Sequence, residues 1–351
     1  MNDLTNDPMH GSSHAADLVE TSNANLLPEA PVVSVLMITY NHGSYLAEAI
    51  EGVVNQVCSF PFELIIGEDH STDNTLEVAL AYQKRYPHLI RVIHSNKNVG
   101  MNANSLRIFH RAHGEYVAYC EGDDYWCDMQ KLEKQVEMMQ ANPQIGIVHT
   151  DWVRAHFQDG KWVHDMNRSV HHRVAGKYLQ GNLHATWHYP KILRTCTNLI
   201  RKKIMEEWYA SGILKPNYLP SDSVMSSWIT SKYEVGYIPS VAAVYRTSPN
   251  SALRSGARAR VEFYRSCLEF DTDARQFFTG MPYQDGYRWD STAGLLLWGL
   301  KARDFQAAKQ AIFDFYRHFG VAGFIATGLK TIAMRIPTLR RQIRHIPGRK
   351  L

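Results

Sequence analysis

Positive charge is missing from the first quarter of this chain. No Lys or Arg precedes Lys84, whereas twelve acids do. At the other end, residues 315–351 hold eight Lys and Arg and no Asp or Glu. The net charge of +4 over 351 residues is therefore local, since outside that tail thirty bases face thirty-four acids. That distribution implies one basic surface on an acidic body. An acidic body repels phosphates and no interleaved aromatic-basic patch occurs, so nucleic acid is not expected as a partner. Cysteine is also scarce. The five residues at 58, 120, 127, 196 and 267 form no CxxC pair, which fits reduced thiols rather than a disulfide framework. No apolar run reaches the roughly eighteen residues that span a bilayer, and the opening residues are acidic and polar, unlike a signal peptide. A cytoplasmic protein is expected. Its 45% apolar and 21% charged residues are ordinary for a globular enzyme.

What is present is an alternation of short apolar runs with amphipathic segments. Residues 1–30, rich in Asn, Asp, Ser and Ala, are expected to be a disordered leader. From Pro31 the strand candidates are Val32–Ile38, Phe62–Ile66, Ile90–Ile93, Glu115–Cys120 and Ile145–His149. Between them, helical spacing covers Tyr45–Val54, Asn74–Tyr86, Asn102–Ala112 and Asp128–Gln140. Strands alternating with helices predict an α/β fold with a mostly parallel sheet covered on both faces. Right-handed crossovers then bring every strand's carboxyl end to one edge, where ligands bind in such sheets. Past residue 150 the pattern weakens into a stretch rich in His, Trp and Tyr. Helices follow at Ile204–Ser211, Asp222–Ser231, Arg258–Phe278 and Phe305–Phe319, with a strand at Val235–Tyr245 interrupted by Pro239. The expected division is 31–150, 151–255 and a helical region 256–351.

The chemistry concentrates in the loops at that edge. They are Thr39-Tyr40-Asn41-His42, Gly67-Glu68-Asp69-His70-Ser71-Thr72-Asp73, Asn96-Lys97-Asn98-Val99-Gly100 and Glu121-Gly122-Asp123-Asp124. Clustered acids after a buried strand are costly without a positive partner, and Mg²⁺ takes carboxylates plus substrate phosphates. A metal site and an acidic cap for the next helix are both open readings of 121–124. Ser71 and Asp73 equally suit a helix cap. Tyr40 and Tyr45 suit packing, and Trp126 suits either core or a sugar-pocket wall. His171 and His172 are adjacent, point to different sides of a regular element, and read as surface or acceptor-side residues.

Taken jointly, Ser34-Val35-Leu36-Met37-Ile38-Thr39-Tyr40-Asn41, Glu68-Asp69-His70-Ser71-Thr72-Asp73-Asn74-Thr75, Asn98-Val99-Gly100 and Glu121-Gly122-Asp123-Asp124 resemble the family 2 glycosyltransferases of the GT-A fold. The likeness covers about 32–150 and fades through 190–250. It implies a Rossmann-like GT-A domain with a C-terminal helical extension. It also implies an inverting enzyme of the hexosyltransferase type, taking a nucleotide sugar, UDP-linked by expectation, and acting in polysaccharide, O-antigen or capsule assembly. Thr39 and Tyr40 would border base and ribose, Asn41 and Glu68 lie in the same loops, and Asp69 would accept from the uracil ring. Asn98 and Gly100 would line the nucleotide pocket. Asp123 would be the direct ligand of Mg²⁺ or Mn²⁺, with Asp124 and Glu121 beside it; Glu121 departs from the family's Asp by one methylene. The implied base is Asp222, with Asp151 as its competitor. Arg246 or Arg254 would touch phosphate from a loop over 248–254. The acceptor would be a glycan or a lipid-linked saccharide. The basic, apolar segment 320–351 suits contact with the inner face of an anionic membrane. Two other readings remain: a nucleotidyltransferase, disfavoured because no Gly-rich cationic loop follows the first strand, and a non-catalytic sugar-nucleotide binder.

Overall fold

The structure is a computed structural model that describes residues 18–166, 169–172, 174–184, 192–215, 217–247, 256–281 and 285–335, the stretch 321–335 as backbone only. In chain order the N-terminal elements are β1 (Leu18–Thr21), β2 (Val33–Thr39), α1 (Leu46–Val54), β3 (Phe62–Glu68), α2 (Thr75–Arg85), β4 (Ile90–Ser95), α3 (Met101–Phe109) and β5 (Tyr116–Tyr119). There follow β6 (Tyr125–Trp126), α4 (Lys131–Ala141), β7 (Ile145–Gln158), β8 (Lys161–Val163), β9 (Leu199–Arg201), α5 (Lys202–Ala210), α6 (Ser221–Lys232) and β10 (Glu234–Thr247). The chain then turns helical with α7 (Ala257–Phe277), α8 (Gly286–Ala302) and α9 (Phe305–Arg335).

The strands join one sheet in the order β1-β4-β3-β2-β5-β9-β7-β10-β6, with β8 paired to β7. Strands β4, β3, β2 and β5 are mutually parallel, as are β7 and β10, while β1, β9 and β6 run antiparallel to their neighbours. The expected alternation thus forms, and the strand β2 is buried along nearly all its length. Both faces of β2 are covered, which is why its sequence reads as an unbroken apolar run. Val33, Val35 and Met37 pack with Leu46, Ala49, Ile50 and Val53 of α1 in the main core.

Two expectations need correction. Part of the supposed leader is a strand: Leu18 to Thr21 pair with Ser95 to Val92 of β4. Its anchor is Arg91, whose side chain is nearly buried and binds Glu63 at 2.8 Å and Glu20 at 2.9 Å. A buried guanidinium needs such partners, and Glu20 supplies one that a four-residue strand of mixed polarity does not advertise. The boundary near 150 is no break, because β7 runs through it without interruption. The interruption expected at Pro239 is present as a register shift in the pairing with β7 between Ile238 and Val241, which absorbs the missing N–H. Helix α8 was not legible in the sequence, and α9 continues beyond Phe319 past a kink at Gly320.

The described residues fall into two compact units. One holds those of Met1–Leu183, Lys191–Pro216 and Met225–Ser248; the other holds those of His184–Pro190, Asn217–Val224 and Pro249–Leu351. The first unit contains the sheet. In the second, α7 and α8 pack through Val261, Leu268 and Leu295 onto Ala307 and Ala311 of α9. Among the described residues no helix is long and apolar enough to cross a membrane.

One core feature sits directly behind the acidic loop. Lys131 of α4 is fully buried, donates to Gln135 Oε1 at 2.7 Å and lies 4.0 Å from the Trp126 ring centroid. Burial pulls its ammonium from 10.5 down to about 7. Between those two values the unfolded chain binds the proton and the folded chain does not, so this group makes stability rise with pH. The stability of wild type relative to Lys131→Met should therefore improve by a few kcal/mol (roughly 1.4 per pK unit) from pH 7 to 10 in urea titrations. A difference that stays flat across that range contradicts a buried, neutral-leaning Lys131.

Candidate active site

The four loops expected at the carboxyl edge do converge there, and main-chain hydrogen bonds lock them together. Asp69 N–H donates to Thr39 O at 3.1 Å, and Gly122 N–H donates to Ile38 O at 3.0 Å. The Asp69 and Gly122 loops thus flank the end of β2. Asn41, with a left-handed φ of 56°, donates its N–H to Ser71 Oγ and accepts from Thr72 N–H through Oδ1 at 2.8 Å. Asp73 accepts from Gly43 N–H at 3.0 Å and from Thr75 N–H at 3.0 Å, so it both caps α2 and ties in the first loop.

Asp69 is buried, and its two oxygens accept from Val99 N–H at 2.8 Å and Gly100 N–H at 2.9 Å. Asn98 Nδ2 donates back to Asp69 O at 2.9 Å. Arg107 of α3 places its guanidinium 3.9 Å from the same carboxylate. Each charge-assisted bond of this kind contributes about 1.5–3 kcal/mol, so Asp69 fixes the third loop in space. Gly100 has φ 86°, which only glycine adopts at low cost. Glu68 is equally committed, accepting from Ser71 N–H at 2.7 Å and His70 N–H at 3.2 Å. Thr39 is buried with no partner for its hydroxyl, and Tyr40 is exposed.

The acidic loop divides its carboxylates by depth. Asp124 is buried, accepts from Arg246 N–H at 2.9 Å and is also hydrogen-bonded to the Cys196 thiol. Burial, then Asp123 and Glu121, push it well above the usual carboxylate range. Glu121 is pushed up to about 7, first by burial and then by Asp123, with Arg194 pulling the other way. Its Oε2 is buried without a hydrogen-bond partner. Ligand atoms of Glu121, Asp124 and Cys196 lie within 4.8 Å of one another. Asp123 is the carboxylate on the open side, 22% exposed and 4.0 Å from His42 Nε2. Gly122 between them admits no side chain, because a Cβ there would fall 2.6 Å from Thr39 Oγ1 and 3.0 Å from His42 Nδ1.

These donors suit a hard dication. The unpaired Glu121 oxygen and the raised carboxyl pKa values mark negative charge that burial penalises and a cation would relieve. The Cys196 thiol is pushed well above its ordinary range by burial and by Asp124 and Glu121, and a hard dication prefers oxygen donors to sulfur. Asp124 is occupied by Arg246 and Cys196. Glu121 and Asp123 are the side chains with capacity left.

The model for glycosyl transferase family 2 matches residues 34–208. The chain belongs to glycosyl transferase family 2. A protein of Mycobacterium tuberculosis (strain ATCC 25618 / H37Rv), itself uncharacterised, is 38% identical over 159 residues, 43% of this chain and 45% of its own. A Bacillus subtilis (strain 168) protein named provisionally as the teichuronic acid biosynthesis glycosyltransferase TuaG is 37% identical over 110 residues, 31% of this chain and 42% of its own. The matches thus span less than half the length of these curated relatives. Among solved structures, the mannosyltransferase PcManGT from Pyrobaculum calidifontis, in complex with GDP-Man and Mn²⁺, superposes with a TM-score of 0.56 over 89% of this chain and 83% of its own. At 16% identity that likeness is one of fold, the GT-A fold.

Within this family 2 frame several expected roles change. Asp151 is not available as a base: it is buried, and one oxygen already accepts from Trp152 N–H at 2.7 Å and His171 N–H at 3.0 Å. Tyr237 hydrogen-bonds the same carboxylate. His171 is not a surface residue but is buried beside Asp151 at 3.7 Å. Asp222 sits in the first turn of α6, as expected, and belongs to the second compact unit; its Oδ1 accepts from Ser223 N–H at 2.7 Å. Trp126 is core, donating through Nε1 to Cys196 O at 2.7 Å. Residue 254, the loop 248–254 and the tail beyond 335 lie outside the described residues.

Arg246 differs most from expectation. It is 2% exposed and does not point at an open phosphate site. Its guanidinium donates to Asp123 O at 3.0 Å and to the Glu48 carboxylate. It lies 4.5 Å from the Tyr125 ring centroid, 5.5 Å from Tyr45 and 5.8 Å from Trp162. Arg246 is therefore a clamp on the acidic loop. Arg194, Cys196 and His42 are also site residues that the sequence did not single out; no motif marks the first two, which lie some seventy residues beyond the loop they serve. Arg246→Met should cost about 2–4 kcal/mol in denaturant unfolding, whereas Glu48→Gln, at a half-exposed side chain, should cost under about 1 kcal/mol. Equal costs for the two variants contradict the clamp.

Proposed function

We propose that this chain is a metal-assisted, inverting glycosyltransferase. It moves a hexosyl group from a nucleoside diphosphate sugar, UDP-linked in our reading, to a hydroxyl of a glycan or lipid-linked acceptor. The observation that carries the reading is the locked edge where the Asp69–Gly100 loop pair and the Glu121–Asp124 loop flank the end of β2. The Asp69–Asn98–Gly100 cradle, with Thr39, Tyr40 and Asn41, would receive the base and ribose. The GDP-Man and Mn²⁺ of the Pyrobaculum mannosyltransferase and the name of TuaG support a nucleotide-sugar donor, a divalent ion and cell-envelope polysaccharide assembly.

Asp123 and Glu121 would hold Mg²⁺ or Mn²⁺, and such an ion would offset charge on the leaving diphosphate. Arg246 and Asp124 keep the Asp123 main chain in place for that task. Asp222 is the base in this account. It takes the proton from the acceptor hydroxyl as that oxygen bonds to the anomeric carbon. The carbon–oxygen bond to the diphosphate breaks, and its electron pair leaves with the nucleotide. One displacement inverts the centre, so an α-linked donor gives a β-linkage. The enzyme would act on the cytoplasmic side of the cell membrane.

Thermal-shift titration with UDP and Mn²⁺ tests binding, because a ligand stabilises the fold by mass action. Wild type should gain melting temperature with both present. Asp123→Ala should lose the metal-dependent part of that gain. Asp222→Asn should keep it and lose turnover of the donor by about 100-fold or more. Metal-independent binding, or an Asp222→Asn variant with full turnover, contradicts the assignment of the respective residue.

A further inference from the structure

The C-terminal helical unit carries an open cleft of about 480 Å³ whose lining includes Arg275, Arg288, Phe313, Asp314, Arg317 and His318. Three guanidiniums and an imidazole face one lining carboxylate. That carboxylate is already engaged, since Asp314 accepts from Arg288 and, at 2.8 Å, from the Thr292 hydroxyl. Arg275 is anchored on Asp271 at 2.9 Å and Asp285 at 2.8 Å, and Arg288 on Asp271 at 2.8 Å. Arg288 Nε remains buried with no hydrogen-bond partner. Arg317 stands exposed. With Asp271 and Asp285 counted beside Asp314, three carboxylates match the three guanidiniums, and Arg317 is the exposed cation at the rim.

Guanidiniums held in place by carboxylates are preorganised for the oxygens of a phosphate group. Beside them runs an apolar ridge. Phe305 is 72% and Phe313 64% exposed, and Ile312 and Tyr316 are exposed with them on α9. At 100° per residue, positions 305, 312 and 316 share one side of the helix, and Phe313 bridges from it to the cleft. Aromatic side chains next to an arginine-lined pocket match the depth profile of a membrane surface, with apolar groups below the headgroups and cations at the phosphates. The sequence continues the same sign of charge, with eight Lys and Arg and no acid from 315 to 351.

We propose that this pocket binds the phosphate of an anionic membrane lipid while the Phe305, Ile312, Phe313 and Tyr316 ridge enters the bilayer interface. The site lies wholly in the helical unit, so it stands or falls apart from the chemistry of the sheet edge. The test is flotation of the full chain with vesicles of phosphatidylcholine alone or mixed with phosphatidylglycerol. Wild type should float with the mixed vesicles only. The Arg317→Gln/Phe313→Ser double variant, with residues 318–351 intact, should bind them about tenfold more weakly or worse. If that variant melts early, Arg317→Gln alone serves, with an expected loss of about five-fold. Unchanged binding in the variants, equal binding of wild type to both vesicle types, or binding to neither overturns the proposal. So does stabilisation by inorganic phosphate in a protein that ignores the mixed vesicles, which would make the cleft a site for free phosphate.

Discussion

Buried carboxylates that accept main-chain N–H groups from distant loops hold the edge of this protein's candidate site together. Asp69 reaches thirty residues along the chain to Val99 and Gly100, and Asp124 reaches 122 residues to Arg246 N–H. Neither carboxylate lies at the open face. Each exchanges water for donors fixed by the backbone, so the loops are positioned before any ligand arrives. Asp123, the carboxylate on the open side, lies 4.0 Å from His42 while its neighbours carry the structural task.

This division explains why the acids are so dense here. A loop with three carboxylates in four residues would repel itself. Arg246 from β10 and Arg194 and Cys196 near β9 each neutralise or bind one part of it, and His42 after β2 lies 4.0 Å from Asp123. The inserted antiparallel β9 brings residues from 194–201 beside β5, directly under the acidic loop. Charge left over on Glu121 is what a dication would take up, and Glu121's elevated pKa expresses that same electrostatic deficit. A rigid frame with one unspent negative site is the kind of preorganisation that phosphate chemistry favours.

Much of this was legible in the sequence because it depends on local periodicity. The parallel strands β2, β3, β4 and β5 are covered on both faces, so their apolar runs stand out, and their following loops share an edge by the handedness of the crossovers. What stayed hidden depends on long-range pairing. Strand β1 is four residues of mixed polarity that exist because Glu20 meets Arg91. Asp151 looked like a base because it follows a strand, but β7 simply continues and buries it. Arg246 looked like a phosphate ligand because it is a cation next to the loop expected over 248–254, yet its partners, Glu48 and the Asp123 carbonyl, lie 198 and 123 residues away. Helix α8 buries Arg288, Ser291 and Thr292 along with Tyr287 and Leu295, so no clean apolar stripe marks it and periodicity did not find it.

The central claim is that the loops carrying Asp69 and Asp123 form two walls of one nucleotide site. Crystals grown with UDP and Mn²⁺, with anomalous scattering recorded at the manganese edge, test it most directly. The account predicts one strong peak against the Asp123 carboxylate, with the uridine beside the Asp69–Gly100 loop and the diphosphate between them. A peak placed away from Asp123, or a nucleotide seated elsewhere on the protein, would contradict it.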